Sequence, residues 1–162
     1  MIIILMGVSG CGKTTVGHLL AQRLHWPYLE ADDFHPAANV EKMRAGAPLQ
    51  DEDRWPWLDR LNATLRTHQA RGENVILGCS ALKEAYRDRL AAGCTDVRWV
   101  HLKGSFELIE ARLRARKGHY MPVTLLRSQF ATLEEPTYAL VVSIEREPEA
   151  IAREILDRFA LS

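Results

Sequence analysis

An α/β fold with a buried parallel sheet is predicted here by two observations. Short, mainly apolar segments alternate with longer segments of helical period, the pattern of β-α units around a sheet covered on both faces. The first apolar segment also runs directly into Gly7-Val8-Ser9-Gly10-Cys11-Gly12-Lys13-Thr14-Thr15, which fills G-x-x-x-x-G-K-[ST] and needs a strand before it and a helix after it.

Ile2-Ile3-Ile4-Leu5-Met6 is the first strand, and Val16, Leu19, Leu20 and Leu24 follow the glycines at helical spacing. Tyr28-Leu29-Glu30 is a short second strand that ends at Ala31-Asp32-Asp33. Pro36 then opens a helix through Asn39, Lys42 and Met43, closed by Gly46. From Pro48 to Trp57 the chain is polar, acidic and twice interrupted by proline. A connecting segment is expected there, leading into a helix with Leu58, Leu61 and Leu65 on one face and Gly72 at its end. This region is expected to cover the site instead of joining the sheet, with Trp55 and Trp57 as packing anchors. Val75-Ile76-Leu77-Gly78 is the third strand, and its helix runs from about Lys83 to Ala91. A fourth strand spans Val97 to Leu102. Ser105 is placed to cap the next helix, where Phe106, Ile109 and Leu113 give a buried stripe before the chain runs out in Arg112, Arg114, Arg116, Lys117 and Gly118. After His119-Tyr120-Met121-Pro122 come a helix from about Thr124 to Leu133 and a fifth strand at Ala139 to Ser143. A closing amphipathic helix carries Ile151, Ile155, Leu156 and Phe159.

With 162 residues, 47% of them apolar, and no repeat or linker-like stretch, the chain is expected to form one domain over 1–162. Its 21 basic and 21 acidic residues balance and form no basic stripe, which speaks against a nucleic-acid partner. A small anionic substrate needs only two or three well-placed arginines and remains compatible with that balance. Cys11, Cys79 and Cys94 are odd in number and lack C-x-x-C spacing, so neither a disulfide framework nor a zinc ribbon is expected, and a reducing, cytoplasmic setting fits. The N-terminal apolar run lacks a basic flank and passes straight into the glycines, reading as a strand and not a signal peptide. No stretch is long enough to span a bilayer, so no membrane partner is expected. The six histidines include no H-x-x-x-H pair and are not expected to bind metal.

The glycine-rich run predicts a nucleotide phosphate site. Gly7, Gly10 and Gly12 permit tight turns, and the backbone N–H groups from Ser9 through Cys11 to Thr15 can point at oxyanions. Lys13 reaches the β- and γ-phosphates, and Thr14 offers its hydroxyl to Mg²⁺. Phosphoryl transfer asks a protein for positioning and charge neutralisation, so a carboxylate near the acceptor and a mobile cation are the further parts to seek. Glu30 and Asp32 lie two apart at the carboxyl end of the second strand, where open parallel sheets bind ligands, and point the same way if the strand continues. Asp32 is the expected base or orienting group for a substrate hydroxyl, with Glu30 holding metal-bound water; the plainer alternative is that Asp32 or Asp33 caps the helix near Pro36. Arg112 and Arg116, spaced i and i+4, share a helix face and suit a lid over the nucleotide, while basic residues in a last helical turn also serve the helix dipole. His35, Lys42, Asp53, Arg54, Ser80, Lys83 and Arg87 gather on the same side, each weak taken singly.

In these stretches the chain resembles the short, P-loop type of gluconokinase, nearly end to end. The resemblance rests on Gly7 to Thr15, on Asp32-Asp33-Phe34-His35-Pro36 with Asn39-Val40-Glu41-Lys42-Met43, and on Gly46-Ala47-Pro48-Leu49-Gln50-Asp51-Glu52-Asp53-Arg54-Trp55-Pro56-Trp57-Leu58. Cys79-Ser80-Ala81-Leu82-Lys83 with Tyr86-Arg87-Asp88, Arg116-Lys117-Gly118-His119-Tyr120-Met121-Pro122, and Ser128-Gln129-Phe130 with Leu133-Glu134-Glu135-Pro136 continue it. It implies a P-loop NTPase-type three-layer sandwich like that of shikimate and nucleoside monophosphate kinases. The parallel sheet would have five strands in the order 2-3-1-4-5, with a helical substrate-binding insertion over about 34–71 and a lid over about 114–136. It also implies ATP- and Mg²⁺-dependent phosphorylation of the 6-hydroxyl of D-gluconate in a homodimer. By position, Asp32 is the catalytic carboxylate, assisted by Lys13 and by Arg116 of the lid. Arg54 and Arg87 are candidates to grip the gluconate carboxylate, and His35, Ser80, Lys83 and His119 complete the substrate side. Two features depart from the common family pattern: Glu30 stands where an aspartate is usual, and the connection after Pro136 is short. Two other readings remain, a kinase of another small hydroxyl substrate such as shikimate, and a nucleotide-dependent switch, the latter lacking N-K-x-D and D-x-x-G motifs.

Overall fold

The computed structural model describes residues 1–116 and 122–162. Five parallel strands, β1 (Ile2–Met6), β2 (Tyr28–Glu30), β3 (Val75–Gly78), β4 (Val97–Lys103) and β5 (Leu140–Ser143), form one sheet in the order β2-β3-β1-β4-β5 among the described residues. The central strand β1 is buried along its whole length, which is why it reads as an unbroken apolar run without alternation. Its register pairs Ile2 with both Val75 and Val97, so the carboxyl ends of β1, β3 and β4 open onto one edge. Gly7 follows immediately at that edge.

Alternation along β1 divides the core into two layers. Ile3 and Leu5 join Ile76, Val100, Leu102 and Val142 against α1 (Lys13–Leu24), α5 (Phe106–Ala115) and α7 (Pro148–Arg158). On the other face Ile2, Ile4, Val75 and Leu77 pack against α3 (Asp51–Ala70) and α4 (Glu84–Ala91), with Leu58, Leu61, Leu65 and Leu90 fully buried. Truncating any one of those leucines to alanine costs about 2–5 kcal/mol at such sites. Of the remaining helices, α6 (Val123–Thr132) adds Leu126 to the first layer, and α2 (Ala37–Arg44) contributes no buried apolar residue to either. Ser105 caps α5 by accepting the Leu108 N–H at 3.1 Å.

Two local expectations are corrected. The segment before Trp57 is helical: α3 begins at Asp51, because Gln50 and Asp53 form a capping box in which the Asp53 carboxylate accepts the Gln50 N–H at 2.8 Å. Pro56 sits on an exposed face of that helix and removes only one backbone donor, so it does not break it. In addition, strand geometry stops at Glu30, and Ala31–Phe34 is a single 3₁₀ turn. Asp32 is therefore aimed by that turn and not by strand alternation.

Candidate active site

The phosphate loop is shaped by backbone. Gly7, Gly10 and Gly12 have φ of 145°, 83° and 99°, values open to glycine and strained for other residues. A Cβ on Gly7 would also meet the Leu102 carbonyl oxygen at 2.8 Å. Lys13 folds its ammonium back over the loop, donating to the carbonyls of Gly7 at 3.0 Å and Val8 at 3.2 Å. Its charge is thereby held above the cavity that the loop encloses. The first turn of α1 contributes its free N–H groups and positive dipole end to the same place.

That cavity, of about 200 Å³, is lined by Ser9, Lys13, Thr14, Thr15, Glu30, Asp32, Ser80 and Arg116, together with glycines and Cys79. The structure thus brings the phosphate loop, both carboxylates of the second-strand segment and the lid-side arginine onto one space. Neither Asp32 nor Asp33 caps α2, whose N-cap is Pro36 without a side-chain bond. Thr14 donates its hydroxyl to Glu30 at 2.7 Å, and the Tyr28 hydroxyl donates to the same carboxylate oxygen at 3.0 Å. Burial, with Glu30 adding to it, pushes the Tyr28 phenol above its ordinary range, so it stays a donor. Room for Tyr28 comes from Gly17 and Gly78: a Cβ at either would lie 2.2 Å or 2.1 Å from the tyrosine. Thr14 and Glu30 present hard oxygen donors beside the phosphate loop, which suits magnesium. Among the described residues no three His, Cys, Asp or Glu side chains form a metal cage, and an ion held mostly by phosphates and water needs none.

Next to Asp32 the chain builds a second, side-chain-made region. His35 lies 4.0 Å from Asp32, stacks on Trp57 with ring centroids 4.3 Å apart, and meets Asn39 Nδ2 at 3.2 Å. Burial lowers its pKa and keeps it neutral, with Asp32 pulling the other way and Arg54 adding to the lowering. Trp57 itself is buried and donates to the Ala31 carbonyl at 2.7 Å, which anchors the 3₁₀ turn carrying Asp32. Arg54 and Lys83 both face the Tyr86 ring, at 5.3 and 5.5 Å from its centroid, and both approach Asp51 at 3.5 Å. Tyr86 donates to Asp51 at 2.5 Å; that bond holds the Asp51 carboxyl low, and burial pushes Tyr86 up to about 12. Two partly exposed cations thus gather around one aromatic ring and share the Asp51 carboxylate.

A further cavity of about 350 Å³ shares Gly10, Gly12, Thr15 and Arg116 with the first and continues between Arg112 and the segment Arg146-Glu147-Pro148. Arg112 donates to the Ile144 carbonyl at 2.5 Å, tying α5 to the end of β5. The loop and helix end thus frame space for the remainder of a nucleotide on the far side of the phosphates from Asp32.

A family model described as "AAA domain" matches residues 2–136. The thermoresistant gluconokinase of Escherichia coli K12 is 43% identical over 160 residues, spanning 96% of this chain and 91% of that protein. The chain belongs to the gluconokinase family. The gluconokinase of Gluconobacter oxydans is 44% identical, covering 97% of this chain and 90% of its own length. A crystal structure of a gluconokinase from Sinorhizobium meliloti 1021 superposes with a TM-score of 0.85 at 40% identity, covering 98% and 90% of the two chains.

Against that gluconokinase framework, one expected substrate residue is turned away from the site. Arg87 is 1% exposed, and its guanidinium donates to the carbonyls of Ala81 at 2.6 Å and Glu134 at 2.7 Å, to Glu84 at 2.8 Å and to Tyr138 at 2.8 Å. The Glu84 partner lies three residues earlier on the same helix, while Glu134 and Tyr138 come from far along the chain. Arg87 therefore clamps α4 to the segment after α6 and is not free to grip a carboxylate. His119 lies outside the described residues. Conversely, Arg146, Glu147 and Pro148 line the nucleotide-side cavity without any motif to mark them, and Gln129 reaches the phosphate loop from 120 residues away.

Proposed function

We propose that this gluconokinase-family chain transfers the γ-phosphoryl group of ATP to the 6-hydroxyl of D-gluconate, giving 6-phospho-D-gluconate and ADP. The observation that carries the reading is the single cavity shared by Asp32 and the phosphate loop. Arg54 and Lys83 hold the sugar-acid carboxylate, which sets the far end of the open-chain substrate toward Asp32. Asp32 accepts the proton of the 6-hydroxyl as that oxygen bonds to the γ-phosphorus, while the bond from γ-phosphorus to the β–γ bridging oxygen breaks and ADP leaves. Lys13 and Arg116 offset charge on the phosphoryl oxygens in flight. Thr14 and Glu30 are the residues that would hold magnesium, the latter through water, and the bound ion supplies charge neutralisation at the phosphates. Neutral His35 orients Asp32 and the sugar hydroxyls, and Ser80 adds a further hydroxyl at the rim of the cavity.

The segment 34–71 is the sugar-acid insertion in this reading, and 114–136 is the lid, with His119 on the substrate side. The enzyme works as a homodimer in the cytoplasm, a setting that suits the three free cysteines Cys11, Cys79 and Cys94. Among the described residues no helix is long and apolar enough to cross a membrane. The test is ADP release with gluconate, shikimate and nucleoside monophosphates offered in parallel. Turnover of gluconate alone is expected; turnover of another acceptor without gluconate overturns the assignment.

A further inference from the structure

The side-chain amide of Gln129, on α6, grips the phosphate loop at two points. Ser9 donates its backbone N–H to Gln129 Oε1 at 2.7 Å, and Gln129 Nε2 donates to Ser9 Oγ at 3.0 Å. The N–H contact fixes which end of the amide is oxygen, so the Nε2 end faces the hydroxyl. A serine hydroxyl that receives a hydrogen bond at its oxygen keeps its own proton for another acceptor. Ser9 lines the cavity that holds Asp32, Glu30 and Ser80, and is absent from the lining of the cavity between Arg112 and Arg146. The free proton is therefore available on the side where phosphoryl transfer takes place.

We propose that Gln129 is a positioning residue that polarises Ser9, presenting the Ser9 hydroxyl as a hydrogen-bond donor to the phosphoryl group being transferred. Gln129 is packed from beneath. Leu126 is buried, Phe130 meets Phe106 edge-on with centroids 5.6 Å apart, and Arg127 lies 4.6 Å from the Phe106 ring centre. One turn beyond, the Glu134 N–H donates to the Leu82 carbonyl at 2.8 Å, and the Glu134 carboxylate accepts the Glu84 N–H at 2.7 Å. Helix α6 is thus pinned at its end to the segment that carries Lys83 and at its middle to the phosphate loop. A donor fixed before reaction contributes to the transition state without reorganising, where it acts on developing charge.

The inference rests on the proposed phosphoryl transfer, and its test separates the two. Wild-type turnover of gluconate checks the reaction itself. For the clasp, Ser9→Ala, Gln129→Ala, Gln129→Glu and the Ser9→Ala/Gln129→Ala pair are assayed for kcat and KM, and for binding of ADP and of a nonhydrolysable ATP analogue, with no sugar acid in the binding arm. Glutamate keeps the acceptor for the Ser9 N–H but takes the hydroxyl proton for itself, so its effect isolates the polarity of the bond. Each single variant is expected to lose about 10- to 100-fold in kcat and to weaken the ATP analogue but not ADP. Gln129→Ala is expected to add little once Ser9 is alanine. Unchanged kcat in Gln129→Glu, a full additional loss in the double variant, or an equal loss of ADP affinity overturns the proposal, the last by reducing Gln129 to a prop for the loop.

Discussion

The two halves of the active site are built from different materials. On the nucleotide side, nine consecutive residues from Gly7 to Thr15 make a cradle shaped by the backbone, and glycine at positive φ is what its shape requires. On the acid side, Asp51, Arg54, Lys83 and Tyr86 come from two helices and a connecting segment, and are held by one another through bonds of 2.5–3.5 Å. A backbone cradle binds any nucleoside triphosphate phosphate chain. A side-chain cluster can be rebuilt for each acceptor without disturbing the sheet. In the proposed reaction the chemistry takes place where the halves meet, at Asp32 on its 3₁₀ turn.

The strongest way to break this division is at its meeting point. Lys13→Ala and Asp32→Asn are each expected to lower kcat by about 10²–10⁴-fold with the fold intact, since one removes charge at the phosphates and the other the proton acceptor. Steady-state kinetics and circular dichroism on both variants check this. Near-normal turnover in either removes that residue from the transfer step.

A smaller effect separates the two arginines once expected to act alike. Arg54 is partly exposed and is the residue proposed to hold the sugar-acid carboxylate, so Arg54→Ala is expected to raise KM for gluconate about 10- to 100-fold, the worth of a charge-assisted bond, with little change in KM for ATP. Arg87 is buried, and Arg87→Leu leaves the Ala81 and Glu134 carbonyls without partners. It should cost about 2–4 kcal/mol of stability, read by urea unfolding, while KM for gluconate rises far less than in Arg54→Ala. A stable Arg87→Leu protein with a large KM defect would reverse the assignment.

Which placements were legible in the sequence follows from what each part depends on. Strands β1 and β3 announce themselves because burial on both faces demands apolar residues at nearly every position, and the phosphate loop because its backbone path demands glycine. Lys13, Thr14 and Asp32 are fixed by adjacency to those elements. Arg54 and Arg87 both look like cations near the pocket, and only long-range packing against Glu134 and Tyr138 turns Arg87 inward. The same holds for Gln129 and Arg146, whose partners lie far along the chain or across a cavity. Prolines misled in a simpler way: Pro48 and Pro56 read as breaks, yet the capping box starts α3 before Pro56, and that proline lies on an exposed face.

The smallest expected effect distinguishes the acid side from the sheet interior by pH. His35 on the acid side and His101 on β4 both have pKa values lowered chiefly by burial. His101 is 2% exposed, with Nδ1 unpartnered among the described residues. Glu135 draws the His101 pKa up while Lys103 and Arg87 push it further down, and burial outweighs them all. A folded pKa below the unfolded value of about 6.5 means that the unfolded chain takes up the proton first. The stability carried by each neutral ring is therefore present above that pH and lost as pH falls from about 6.5 toward the folded pKa. Urea unfolding across this window should show a slope of up to about 1.4 kcal/mol per pH unit for each histidine. His101→Leu should flatten that slope without moving KM for gluconate, because His101 does not line the cavity with Asp32. His35→Asn should flatten it and also raise that KM, because His35 lies beside Asp32. Equal kinetic effects from the two substitutions would show that the sheet interior and the acid side are coupled more tightly than their separate hydrogen-bond networks imply.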